Sequence, residues 1–178
     1  IRMPGSFLCY SPLVDAGNVG PPPSASSGSI TFGSFNSMPK MTPAVLAAWA
    51  RVLAAVPTST LVIKNRGLGD PRVAARVRSE IASHGIDAER VRAMGHRTTQ
   101  AEHLHEYSQI DIALDTFPYN GTTTTCEAMW MGVPVVALAG RTHAGRVGES
   151  LLTSVGLTEL IARDEDEYVR LAAVLAGD

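Results

Sequence analysis

The sequence predicts an α/β protein with a doubly wound parallel sheet. Short apolar runs recur along the chain, they are near-continuously apolar instead of alternating, and a stretch with helical spacing of apolar residues separates most of them. A strand covered on both faces shows no polar alternation, and a parallel neighbour is reached only through a crossover, usually a helix.

The elements follow in order. Ile30 to Phe35 is the first strand, and Thr42-Pro43 then supplies an N-cap and a proline at the first helical position, with Val45, Leu46, Trp49, Val52 and Leu53 on one helical face. Thr60 to Lys64 is the second strand; beyond Gly67-Leu68-Gly69, Asp70-Pro71 opens a helix that Gly85 stops. Val91 to Met94 is the third, and Thr99-Gln100-Ala101-Glu102 has the capping-box pattern for a helix reaching Tyr107. Ile110 to Leu114 is the fourth, and it runs into a threonine-led helix that Gly132 ends. Val133 to Leu138 is the fifth, followed by a helix from Val147 to Val155 that Gly156 closes. A short Leu160-Ile161-Ala162 run and a helix from Asp164 complete the pattern. Residues 1–29, with Pro21-Pro22-Pro23 and a serine-rich stretch, lack sustained periodicity and read as an interdomain linker lying on a surface.

The 178 residues suffice for one full core, and 45% hydrophobic with 18% charged residues is an ordinary globular composition. A net charge of −2 without a run of Lys or Arg excludes a nucleic-acid surface and a polybasic membrane anchor. Two cysteines give neither a disulfide framework nor a CxxC pair, so a reducing cytoplasm is the expected compartment. No apolar run approaches the roughly 20 residues that span a bilayer. The first residues carry neither signal-peptide features nor an initiator methionine, as in a chain that begins inside a longer protein.

A doubly wound sheet binds ligands outside the carboxyl ends of its strands, near the point where strand order reverses. Three loops converge on that rim: residues 36–40, 95–103 and 120–127. In the last, Asn120-Gly121 precedes Thr122, Thr123, Thr124 and Thr125 where a helix should begin. Unpaired amides and the positive end of the helix dipole suit a phosphate there. Glu127, one turn deeper, could accept hydrogen bonds from ribose hydroxyls. A threonine acting only as N-cap, with Glu127 as an ordinary first-turn carboxylate, is the plain alternative, and the local sequence leaves both open. Lys40 is either a fixed ammonium for a diphosphate or a solvated loop lysine, and His103 either meets a base or is a surface histidine. Gly67-Leu68-Gly69 is no dinucleotide fingerprint, because Arg72 stands at the third glycine position and the motif follows the second strand.

Taken as an ordered set, these residues resemble a known family. Phe32-Gly33-Ser34-Phe35-Asn36 with Lys40, Ala101-Glu102-His103, Asp111 to Asn120-Gly121 with Thr123-Thr124, and Trp130-x-Gly132-x-Pro134 are similar to the carboxyl-terminal catalytic lobe of O-linked N-acetylglucosamine transferases, glycosyltransferase family 41. The likeness runs from Pro4-Gly5 through Gly145-Arg146-Val147-Gly148 and Val155-Gly156-Leu157, and Phe117-Pro118-Tyr119 resembles the bacterial members.

The resemblance implies a GT-B enzyme, with residues 30–178 as the Rossmann-like lobe that binds the UDP-sugar donor, truncated at its carboxyl end. It places Lys40, Thr123 and Thr124 on the diphosphate, His103 at the uracil, the backbone of Thr98 against the base, and Glu127 on the ribose. Ser37 stands where the family has a glutamine near the phosphates, Thr122 where it has a histidine, Gln100 where it has a lysine, and Glu106 where it has an arginine. The implied reaction moves N-acetylglucosamine from UDP-GlcNAc to Ser or Thr hydroxyls of a protein acceptor, with inversion and without metal or resident cofactor; another GT-B enzyme such as a UDP-sugar epimerase, or a non-catalytic nucleotide-binding module, is the alternative. It also implies partners outside this sequence: an amino-terminal lobe with the proton acceptor, and TPR repeats, of which no copy appears here. Alone, the chain is expected to be inactive.

Overall fold

Six parallel strands form one sheet: β1 (Thr31–Ser34), β2 (Thr60–Lys64), β3 (Val91–Met94), β4 (Ile112–Leu114), β5 (Val135–Leu138) and β6 (Ile161–Ala162). Their order is β3-β2-β1-β4-β5-β6. The chain builds outward from β1 to β3, then returns to lay β4 against β1, so order reverses between those two strands. The computed structural model describes residues 6–12 and 17–177. Expectations that rest on Pro4-Gly5, on residues 13–16 of the linker and on Asp178 lie outside the described residues.

Helices α2 (Pro43–Ala55), α3 (Pro71–Ala82) and α7 (Glu165–Leu175) cover one face of the sheet, while α4 (Gln100–His105), α5 (Thr123–Trp130) and α6 (Val147–Ser154) cover the other. The strands feed both cores by simple alternation. Leu61 and Ile63 join Trp49 and Ile81, whereas Val62 joins Tyr107 and Leu104; Ile112 and Leu114 part in the same way from Ala113. That is why the runs read as continuously apolar.

Helix starts follow the side-chain chemistry. Thr42, Asp70, Thr99 and Asp164 each accept a first-turn amide, and Pro43 and Pro71 occupy positions where a missing N–H costs nothing. The Thr99–Glu102 capping box forms with both arms in place. Three acidic residues, Glu165, Asp166 and Glu167, fill the first turn of α7, where the helix dipole favours them.

Differences from the sequence reading are local. The linker region contains one helical turn, α1 (Ser24–Ser27), closed by Gly28 at φ 68°. It is held by Asp111, whose Oδ1 accepts from the Ser24 amide at 2.9 Å while Oδ2 accepts from Thr31 N at 2.8 Å. β5 begins at Val135 instead of Val133, because Pro134 has no N–H for the ladder and offers only its carbonyl to Ala113 N. β4 starts at Ile112, and α4 stops at His105 before a 3₁₀ turn, Glu106–Gln109.

One buried polar chain crosses from α2 to the end of β4. Trp49 Nε1 donates to Tyr168 Oη at 3.2 Å, and that hydroxyl donates to the Asp115 carbonyl at 2.8 Å, with both rings fully buried. Tyr168→Phe is therefore expected to lower unfolding stability by about 1–3 kcal/mol, the usual cost of stranding a buried donor. Urea unfolding of the variant with an unchanged m value checks this, and an equally stable variant would contradict it.

Candidate functional site

The site grows out of the divergence of β1 and β4. Asp115 follows β4 directly, is 2% exposed, and uses Oδ1 to accept three hydrogen bonds: from Thr116 N at 2.8 Å, Gly121 N at 2.6 Å and Asn36 Nδ2 at 3.2 Å. Asn36 lies just beyond β1, and its Oδ1 accepts from Thr124 Oγ1 at 3.1 Å. One carboxyl thus ties the ends of both strands to the amino end of α5. Its Oδ2 has no hydrogen-bond partner among the described residues.

The turn between β4 and α5 is closed on itself. Thr116 Oγ1 donates to Tyr119 O at 2.8 Å, Asn120 Nδ2 donates to Thr116 O at 2.9 Å, and Asn120 Oδ1 accepts from Gly148 N at 3.2 Å. Gly121 is required by space: a Cβ there would lie 2.6 Å from both Thr124 Oγ1 and Thr125 Oγ1. With its polar groups spent inwardly, this turn is a rigid base for whatever lies above it.

Lys40 reaches that turn from the other side. It closes a 3₁₀ turn, Met38–Lys40, and its Nζ donates to Asn120 O at 2.8 Å while standing 4.1 Å from the Tyr119 ring centroid. Burial lowers the ammonium's pKa, with the Asp115 charge working in the opposite sense. Thr122 occupies the N-cap of α5, yet its side chain makes no capping bond, unlike the caps of α2, α3, α4 and α7. Thr122 is therefore not a side-chain cap. The amides of the first turn stay without a capping side chain, beside a fixed cation.

A second group of side chains lies one turn along α5. His103 Nε2 is 2.9 Å from Glu127 Oε2, and Tyr107 Oη donates to Thr124 O at 3.1 Å and to Glu127 Oε2 at 3.4 Å. Glu127 is 5% exposed, so its carboxyl faces these two rings. Burial, reinforced by the Glu127 charge, raises the Tyr107 pKa well above the ordinary tyrosine value. His103 packs edge-on to Tyr107 and beside Phe35, with its Nδ1 buried and unpartnered among the described residues. No cluster of three His, Cys, Asp or Glu side chains among the described residues could hold a metal ion.

Of the residues singled out in the sequence, Lys40 and Thr124 join through Asn120, Asn36 and Asp115, and His103 joins Glu127. Thr123 is exposed on the first turn and Thr122 half-buried at its cap. Ser37 is exposed ahead of the Lys40 turn; Thr98 is exposed on the loop before α4, and Gln100 is that helix's first residue. None of these last three enters the hydrogen-bond systems of Asp115 or Glu127. Asp115, Asn36 and Tyr107 were missed as site residues. The available signal was a polar residue at or just past the end of an apolar strand, which Asp115 and Asn36 both satisfy.

Comparison with known proteins gives the family. The family model for glycosyl transferase family 41 matches residues 24–178. The probable UDP-N-acetylglucosamine–peptide N-acetylglucosaminyltransferase SPINDLY of Petunia hybrida is 50% identical over 178 residues, all of this chain and 19% of that protein. Its counterpart in Arabidopsis thaliana is 49% identical over the same 178 residues, 20% of its length. This chain thus spans about one fifth of the curated plant relatives. A mutant O-GlcNAc transferase of Thermobaculum terrenum matches with a TM-score of 0.87 at 38% identity, over 94% of this chain and 31% of that one. The sheet is the Rossmann-like carboxyl-terminal lobe of a GT-B architecture, and the chain belongs to glycosyl transferase family 41.

Proposed function

We propose that this chain is the donor-binding half of an inverting, metal-independent glycosyltransferase that moves N-acetylglucosamine from UDP-GlcNAc to Ser or Thr hydroxyls of proteins. One observation carries the reading: the Lys40 ammonium and the uncapped amino end of α5 converge on one turn at the strand-order reversal. The relatives' names supply the donor and the peptide acceptor.

In such a transfer the acceptor oxygen bonds to the anomeric carbon as the bond from that carbon to the diphosphate breaks, and negative charge grows on the departing UDP. Lys40 and the amides of Thr123 and Thr124 meet that charge with donors already in place. Each preorganised donor of this type is worth about 2.7–4 kcal/mol in a site closed to water. His103 and the backbone of Thr98 take the base side, Glu127 the ribose, and Ser37, Gln100 and Thr122 line the approach. The acceptor's proton leaves to a group in the amino-terminal lobe. That lobe and TPR repeats are the partners we assign, with no resident cofactor. We place the enzyme in a bacterial cytoplasm, on the Phe117-Pro118-Tyr119 segment and two free cysteines. Among the described residues no helix is long and apolar enough to cross a membrane.

Titration of the two-lobed enzyme with UDP, GDP, ADP and inorganic phosphate is expected to show binding with preference for UDP, and turnover of UDP-GlcNAc with a peptide acceptor. Lys40→Ala is expected to cut kcat about a hundredfold or more, as for loss of one preorganised donor. An unchanged kcat would remove Lys40 from the chemistry, and affinity no greater than for phosphate would remove the nucleotide reading.

The scaffold under the cradle has its own pH signature. Burial lifts the Asp115 carboxyl from 3.8 to about 6, against the amides of Gly121 and Thr116, which favour the charged form. Below its unfolded value the group is protonated in both states. As pH rises from that value toward the folded one, the unfolded chain gives up this proton while the native state keeps it, so stability is lost until the native carboxyl ionises too. Relative to Asp115→Asn, the wild-type protein should lose about 2 kcal/mol between about pH 4 and about pH 6. Urea unfolding at the two ends of that window checks this; a pH-independent difference would contradict it.

A further inference from the structure

A buried charge array lies under the base side of the site. Lys64, the last residue of β2, is 2% exposed, and its Nζ stands 3.5 Å from Glu106 Oε2, 3.3 Å from His103 O and 4.2 Å from the Phe35 ring centroid. Glu106, in the turn after α4, is 4% exposed, and its Oε1 accepts from Arg97 Nε at 2.5 Å. Its Oε2 makes no hydrogen bond among the described residues and faces only the Lys64 ammonium. Arg97 is half exposed on the loop before α4, beside Thr98.

Burying an ammonium and a carboxyl is a poor route to stability, since an apolar pair of similar volume does as well or better. What the array does supply is geometry. The loop 95–99 has two other anchors: its first residue, Gly95, lies so close to Gly69 that an added Cβ would come within 3.2 Å of the Gly69 Cα, and its last, Thr99, is locked in the capping box. Between these ends Arg97 is the clip that draws the middle of the loop onto Glu106. Lys64 holds the same carboxyl from below and grips the backbone of His103.

We propose that Lys64, Glu106 and Arg97 are positioning residues, which set the loop carrying Thr98 and the helix carrying His103 at the distance a nucleobase requires. The inference rests on the donor-binding reading above, and it assigns the array to the nucleoside end of the donor and not to the diphosphate. The array touches neither the Lys40 turn nor the amino end of α5, so removing it should leave the grip on phosphate intact.

The test uses the two-lobed enzyme with Arg97→Ala, Arg97→Lys and Glu106→Gln, measuring Kd for UDP and for inorganic pyrophosphate, donor KM, kcat and Tm. Arg97→Ala is expected to raise the UDP Kd and donor KM about tenfold, with pyrophosphate Kd and kcat changed less than about twofold. Arg97→Lys should recover part of the loss, and Arg97→Ala with Glu106→Gln should be no worse than the stronger single variant. If wild type binds another nucleoside diphosphate more tightly, the same comparison is read with that one. Unchanged nucleotide affinity in Arg97→Ala, or UDP and pyrophosphate affinities falling together, would overturn the assignment while leaving the donor site standing. A wild-type enzyme that binds no nucleoside diphosphate would overturn both.

Discussion

A single buried carboxyl, that of Asp115, organises the functional end of this fold. By accepting from Thr116 N, Gly121 N and Asn36 Nδ2 with one oxygen, it locks the end of β4, the end of β1 and the entry to α5 into one unit. Because Asn36 passes the constraint to Thr124, the first turn of α5 is held from two sides. Without that unit the helix amides would still exist, but they would not share a fixed frame with Lys40.

Placing this frame at the strand-order reversal has an energetic consequence. The sheet and its two apolar cores are rigid, so the Asp115 turn inherits their order through Tyr168 and Trp49 on one face and Gly148 on the other. Preorganisation of this kind is what makes a dipole effective toward charge that develops during a reaction, since no donor has to reorient at that moment. The chain carries only −2 net charge, so on the proposed reading the grip on an anion rests on Lys40 and oriented amides more than on the charge of the molecule as a whole.

Much of this was legible in the sequence because the cues were local. Thr42-Pro43, Asp70-Pro71, the Thr99–Glu102 box and Asp164 mark helix starts by their own chemistry, and all four form as read. β2 and β3 have the boundaries their apolar runs suggest. Less legible were features that depend on residues distant in sequence. α1 is anchored by Asp111, just before the neighbouring strand β4 and 87 positions on, which accepts its first amide. The pairing of Glu127 with His103 joins residues 24 apart, and Lys64 with Glu106 joins a strand end to a turn 42 positions on. A strand-terminal lysine and a loop carboxylate look solvated until the topology brings them together. Thr122 is the reverse case: a residue type that normally caps a helix, whose side chain leaves the cap unmade.

The central claim is that Lys40 and the opening amides of α5 jointly grip the diphosphate of the donor. A crystal structure of the two-lobed enzyme with bound UDP tests it most directly. The account requires diphosphate oxygens at hydrogen-bond distance, about 2.7–3.2 Å, from Lys40 Nζ and from the Thr123 and Thr124 amides. A nucleotide whose phosphates lie away from this rim, with Lys40 still bonded to Asn120 O, would contradict it.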